Sequence, residues 1–199
     1  MPKTTIINYG AGNLYSISTA LRKVRVEVML ADKPLGNEDL IVLPGVGNFK
    51  SAMKRMGNNS LIIIDEVREG KCILGICLGM QLLFEWSEEG YCDGLGILGG
   101  KVVELPNTVK KPHIGWSPIT VDNREGILKE LGPKPWVYFN HSYYPQPQKR
   151  SIISATAIHG IKFPAVIEDG NIMGTQFHPE KSGEVGAKIL RNIRDLLKR

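Results

Sequence analysis

Cysteine is scarce in this chain and follows no pairing pattern. Cys72, Cys77 and Cys92 are the only three in 199 residues. An odd number with no CxxC spacing excludes a disulfide framework and a cysteine-based zinc pair, and it suits a reducing compartment. Long apolar runs are missing as well: none approaches the roughly 18–20 residues of a membrane span. The first residues, Met1-Pro2-Lys3-Thr4-Thr5-Ile6-Ile7-Asn8, lead directly into a strand pattern, so no secretory signal is expected and a cytoplasmic location is. Charge of one sign is not concentrated anywhere. The formal net charge is +5, but Lys110-Lys111 and Lys198-Arg199 form no stripe interleaved with aromatics, which argues against nucleic-acid binding. A mildly basic surface favours an anionic substrate or an acidic partner. No repeat, low-complexity tract or linker interrupts the sequence, so residues 1–199 read as a single domain.

What is present is an alternation of strand and helix patterns. Thr4–Asn8, Val26–Leu30, Leu40–Leu43 and Cys72–Ile76 read as strands. Between them, Asn13 caps a helix with Leu14, Ile17, Leu21 and Val24 on one face, and further helical stretches cover Ser51–Met56 and Leu61–Arg68. This rhythm predicts an α/β fold with a parallel sheet and helices on both faces. Beyond about Gly94 the pieces shorten: Lys101–Leu105, Ile119–Val121, Trp136–Phe139, Ile152–Ala157 and Ala165–Glu168 suggest antiparallel additions. Asn171–Gln176 is a further strand, and a final helix over Glu184–Leu197 buries Val185, Ile189, Ile193 and Leu196.

The most informative stretch is Gly75-Ile76-Cys77-Leu78-Gly79-Met80-Gln81. An apolar strand ends at Ile76, and a helix pattern through Leu78, Gln81, Leu82, Leu83, Phe84 and Glu85 follows at once. Cys77 therefore sits on a sharp strand-to-helix turn, a nucleophile elbow with sulfur in place of a serine oxygen. Gly75 and Gly79 flank it because strand and helix must cross closely there. Unpaired N–H groups at the start of the helix favour a thiolate. A cysteine nucleophile needs a base with an orienting partner, and Gln176-Phe177-His178-Pro179-Glu180 supplies both. Proline keeps His178 extended, so His178 and Glu180 project to one side, the carboxylate holding one ring nitrogen and the other facing the thiol. The alternatives are a surface ion pair or two ligands of a metal site; no third ligand lies nearby, and no metal is expected. Cys72 and Cys92 read as a buried hydrophobe and a loop residue.

Acyl transfer develops a negative oxygen that two backbone N–H groups commonly stabilise. Leu78 follows the nucleophile and supplies one. Pro44-Gly45-Val46-Gly47, at the carboxyl end of a neighbouring strand, supplies the other, which makes Val46 and Gly47 oxyanion-hole candidates. Glycines on both sides leave the Val46 peptide free to rotate, so this loop could switch between donor-in and donor-out states; its plain alternative is a tight turn.

Tyr9–Leu14, Leu43–Phe49, Gly75–Phe84, Pro112–Trp116, His141–Tyr143 and Gly174–Ser182 occur in this order along nearly the whole chain. Together they resemble the class I glutamine amidotransferases, and among them the glutaminase-subunit family of imidazole glycerol phosphate synthases. One departure is Asn8, where aspartate is more usual. The resemblance implies a three-layer fold with a mostly parallel central sheet. It implies hydrolysis of glutamine to glutamate and ammonia through a Cys77 thioester, with no cofactor. Gly47, Gln81, Glu89, Ser142 and Tyr143 match positions that hold glutamine, Glu89 suiting the α-ammonium. The resemblance further implies a heterodimer with a (β/α)8-barrel cyclase subunit that receives the ammonia in histidine biosynthesis, with Asn13, Trp116 and Lys181 in motifs that could face it. Other readings of these side chains are solvated-face residues (Gln81, Glu89), a packing aromatic (Tyr143) and a core aromatic (Trp116). His113 and His141 lack a carboxylate at matching spacing and read as structural histidines. Competing functions are a glutaminase feeding another synthase, a cysteine hydrolase on a related elbow, and a noncatalytic binding module.

Overall fold

The structure, a computed structural model, describes residues 1–198. The first half contains β1 (Lys3–Ile7), α1 (Leu14–Lys23), β2 (Glu27–Ala31), β3 (Leu40–Leu43), α2 (Phe49–Met56), α3 (Asn59–Arg68), β4 (Cys72–Ile76) and α4 (Leu78–Leu82). It continues with β5 (Phe84–Ser87), β6 (Cys92–Asp93), β7 (Leu98–Glu104), β8 (His113–Val121), β9 (Trp136–His141) and β10 (Tyr143–Pro147). The chain finishes with β11 (Ile153–His159), β12 (Ile161–Asp169), β13 (Ile172–Thr175) and α5 (Gly183–Leu196).

A nine-stranded sheet runs in the order β2-β1-β3-β4-β13-β12-β11-β8-β9, and a four-stranded sheet in the order β10-β7-β5-β6. The expected α/β architecture is present. β2, β1, β3, β4 and β13 are mutually parallel, and β12, β11, β8 and β9 continue the sheet with antiparallel pairings.

The central strands β3 and β4 are almost continuously apolar and buried because both faces are covered. Alternate residues feed different cores. Leu40 and Val42 of β3, with Leu74 and Ile76 of β4, pack beneath α1 and α5 against Ile17, Leu21, Ile189 and Ile193. Ile41, Leu43 and Ile73 pack on the other face with Phe49, Ala52, Met56, Ile63 and Val67 of α2 and α3. Asn13 and Asn48 cap α1 and α2 by accepting from the N–H groups of Ser16 and Ser51.

The sequence reading is corrected at several elements. The helix after Cys77 stops at Leu82, and Phe84 and Glu85 belong to β5. The Leu82-Leu83-Phe84 run is apolar enough for either state, and pairing of β5 with β7 decides it. β8 starts at His113 and is far longer than the Ile119–Val121 expectation, while β5, β6 and β10 lie outside every predicted strand.

Because β1, β3, β4 and β13 are parallel, their carboxyl ends emerge on one edge of the sheet. The residue 8–13 turn, the Pro44–Asn48 loop, Cys77 and the Gln176–Glu180 segment are thereby brought together, where open α/β sheets bind ligands.

Candidate active site

Cys77 has φ +51° and ψ −105°, a conformation that costs a non-glycine residue roughly 1–3 kcal/mol. The surroundings hold it there. Its N–H donates to Thr175 of β13, 2.7 Å away, and its carbonyl accepts from Gln81 in the first turn of α4. Gly75 and Gly79 make the crossing possible. A Cβ on Gly75 would stand 2.6 Å from the Gly79 backbone, and one on Gly79 would stand 1.9 Å from the Leu43 carbonyl oxygen. The sharp, glycine-framed turn expected from the sequence is what forms.

His178 arrives on the segment that follows the neighbouring strand β13. Its N–H donates to the Tyr138 carbonyl at 2.9 Å, and its own carbonyl accepts from the Ser182 hydroxyl at 2.7 Å. His178 is extended, but the chain then enters a short 3-10 turn (Pro179–Lys181) instead of continuing as a strand. The ion pair forms all the same: His178 Nδ1 and Glu180 Oε1 are 2.9 Å apart. Nδ1 therefore carries the proton in the neutral ring. Nε2 is buried with no conventional hydrogen bond among the described residues. Burial alone would push the imidazole down, but the Cys77 sulfur and the Glu180 carboxylate outweigh it and raise it to about 10.

This coupling has a signed consequence. A raised imidazole contributes stability that is complete below its unfolded value of roughly 6.5 and is lost as pH rises through about 10. Glu180→Gln removes the carboxylate, one of the two groups responsible. The variant is expected to lose stability relative to the parent at pH 6 and to converge with it above about pH 10. Urea melts at the two pH values measure this; an equal loss at both would dissociate Glu180 from the imidazole charge.

The sulfur has two further partners that the sequence reading did not single out. Its thiol donates to the Asn140 carbonyl at 3.5 Å, and the Gln176 carboxamide nitrogen donates to it at 3.6 Å. Asn140 acts through its backbone, which leaves no mark in a sequence. Gln176 did leave one, since it stands two residues before His178 at the end of a predicted strand.

A cavity of about 230 Å³ opens over the sulfur, lined by Gly45, Val46, Gly47, Cys77, Leu78, Gln81, Glu89, Pro112 and the Asn140–Tyr143 segment. It thus gathers all the sequence-predicted oxyanion and substrate residues. Its volume is below the roughly 300–1,000 Å³ of drug-sized sites, which suits one amino acid. Glu89 is partly exposed there, and one carboxylate oxygen accepts from the Phe49 N–H at 2.8 Å. Gln81 is buried, and its amide nitrogen is committed inward, 2.8 Å from the Tyr143 carbonyl. The Val46 carbonyl accepts from the Gly12 N–H at 2.8 Å. In a trans peptide the two groups point oppositely, so the Gly47 N–H faces away from Gly12.

The other two histidines singled out earlier are hydrogen-bonded to each other. His141 Nδ1 donates to the Tyr143 carbonyl, which leaves Nε2 to accept from His113 Nδ1 at 3.1 Å, and His113 Nε2 accepts from Ser117. Burial first, then neighbouring imidazoles, push His113 down to about 4 and His141 to about 3, despite the hydrogen bond to Tyr143 that opposes the shift of His141. Both are neutral structural groups at pH 7.

The candidate interface residues lie on the outside. Trp116 is 52% exposed, which removes the core-aromatic reading. It stands edge-on to Tyr138, 6.2 Å between ring centres, and the Lys181 ammonium lies 5.7 Å from the same ring. Asn13 is exposed at the start of α1.

The model of the family described as glutamine amidotransferase class-I matches residues 5–195. The chain belongs to the class I glutamine amidotransferases. Among its relatives within this family, a Geobacillus sp. (strain WCH70) protein named imidazole glycerol phosphate synthase subunit HisH is 44% identical, with 96% of each chain covered. The protein of the same name from Bacillus subtilis (strain 168) is 45% identical over 93% of this chain and 92% of its own. The solved structure of PurLQS from Thermotoga maritima superposes with a TM-score of 0.80 over 98% of this chain and 99% of that one at 22% identity, which supports the class I amidotransferase fold. No helix among the described residues is long and apolar enough to cross a membrane.

Proposed function

We propose that this class I amidotransferase is the glutaminase subunit of an imidazole glycerol phosphate synthase. Cys77, His178 and Glu180 form its triad. The Cys77 sulfur attacks the carboxamide carbon of glutamine, and its proton passes to His178 Nε2. The tetrahedral oxyanion is held by the Leu78 and Gly47 N–H groups, the Val46 peptide setting the loop that carries the second of them. Collapse breaks the C–N bond, His178 returns the proton to the leaving nitrogen, and ammonia departs from a glutamyl thioester. Water, deprotonated by His178, then adds to the thioester carbon and expels the sulfur, giving glutamate. Glu89 receives the α-ammonium, Ser142 and Tyr143 lie where the α-carboxylate docks, and Gln81 completes the wall.

Ammonia protonated by water is no longer a nucleophile, so direct transfer to a second subunit is required. A (β/α)8-barrel cyclase would bury the Trp116–Tyr138–Lys181 patch and Asn13 and take the ammonia to a ribonucleotide acceptor. Tyr and Trp are enriched at the cores of such interfaces. The observation that carries this reading is the single small cavity in which nucleophile, oxyanion loop and a lone carboxylate meet.

The test is glutamate release by the chain alone, with co-purified cyclase subunit, and with the cyclase plus its ribonucleotide ligand. Stimulation by the last combination is expected. Equal release in all three would assign the chain to a different synthase, and release in none would make it a noncatalytic module.

A further inference from the structure

Gln176 lies on the active-site side of β13 and is completely buried. A carboxamide with no access to water must have its hydrogen bonds supplied by protein. Here their sense can be worked out from the atoms around it. A backbone carbonyl only accepts, so the Gln81 side-chain atom 2.8 Å from the Tyr143 carbonyl is the amide nitrogen. The second N–H of that nitrogen meets Gln176 Oε1 at 3.3 Å. A reversed Gln176 would set two NH₂ groups against each other. Its own nitrogen is therefore turned to the Cys77 sulfur, at 3.6 Å. The backbone holds the rest: the Gln176 N–H donates to Ala165 at 2.9 Å, and the Thr175 hydroxyl donates to the Phe177 carbonyl at 3.0 Å.

The sulfur thus stands between opposed partners. The Asn140 carbonyl, 3.5 Å away, can only accept and so favours the thiol. An N–H donor favours the thiolate. We infer that Gln176 is a further catalytic residue, whose carboxamide N–H stabilises the Cys77 thiolate, with Gln81 as the positioning residue that fixes the sense of that carboxamide. This deepens the glutaminase reading and rests on it. It also gives Gln81 a task apart from lining the substrate cavity. Because Tyr143 and Gln176 share the two N–H groups of one nitrogen, the wall of the cavity and the nucleophile are joined by a single side chain.

The test uses Gln176→Met, which keeps the volume and removes the donor. The readout is alkylation of Cys77 by iodoacetamide as a function of pH, with modification at Cys77 resolved from Cys72 and Cys92 by peptide mass spectrometry. The charged and titratable groups around the sulfur (His178, Glu180, Tyr9, His141 and Glu89) are unchanged in this variant. The pH midpoint of alkylation is expected to rise by about one unit, and the rate at pH values below the parent's midpoint to fall about tenfold. Glutamine turnover should fall through kcat, with KM changed less than about twofold. An unmoved midpoint overturns the proposal, as does a shifted midpoint with unchanged kcat. If the variant does not fold, Gln81→Met decides: a smaller shift in the same direction supports the assignment and no shift overturns it. Alkylation requires neither glutamine nor a cyclase, so the thiolate contact remains measurable even if the chain releases no glutamate.

Discussion

Cys77→Ala abolishes glutamine hydrolysis, with an expected fall in kcat of about 10⁴-fold or more. Losing a covalent nucleophile has effects of this size because the remaining groups cannot take over its bond-making step. Glutamate release from the complex, assayed with excess enzyme, reads the loss; retention of even a tenth of the activity would exclude Cys77 as the nucleophile. The same position carries a stability signature. Alanine normally exceeds glycine by about 1 kcal/mol in ordered structure. At φ +51° the order should reverse. Cys77→Gly is expected to melt roughly 2–4 °C above Cys77→Ala for each kcal/mol of strain released. Equal melting temperatures would mean that the elbow stores no strain.

The second large effect is on folding. Gly79→Ala would drive a Cβ to 1.9 Å from the Leu43 carbonyl oxygen and 2.7 Å from its carbon, both backbone atoms that no rotamer change can move aside. Helix α4 must then lift from β3, and Leu43 is the residue that leads into the Pro44–Gly47 loop. We expect a loss above about 4 kcal/mol, the range reserved for severe steric or packing defects. That corresponds to a melting temperature lower by about 10 °C or more, or to insoluble protein. Gly132→Ala is the matched control, with nothing within 4 Å of the added carbon, and should fall within about 0.5 kcal/mol of the parent. A Gly79→Ala protein as stable as this control would refute the close crossing.

The parts of the molecule that were readable from sequence are those where one residue type answers one constraint. Glycines framing a cysteine between a strand and a helix pattern mark the elbow, because only a missing Cβ permits that crossing. Fully apolar Leu40–Leu43 marks a strand covered on both faces. Proline after His178 marks the extended backbone that sends the imidazole toward the sulfur. The remainder was obscured for physical reasons. Leu82-Leu83-Phe84 satisfies helix and strand alike, and only its partner β7, arriving later in the chain, chooses. β6 has two residues, too few for any periodicity. The Asn140 carbonyl belongs to the backbone, so side-chain identity carries no trace of it. Gln176 was readable in principle: it stands two residues before His178, just past the end of the strand that carries the chain into the site.

The sheet order also bears on how the protein is made. β13 is the seam between β4, on the parallel side, and β12, on the antiparallel side. β4 and β12 both precede β13 in the chain, so until Ile172–Thr175 is added each would present an unpaired edge able to pair with another chain. Cys77 is by then long since translated but does not yet have His178 beside it. The segment that follows this strand carries His178, so the base of the site enters the chain only with the strand that joins the two halves of the sheet.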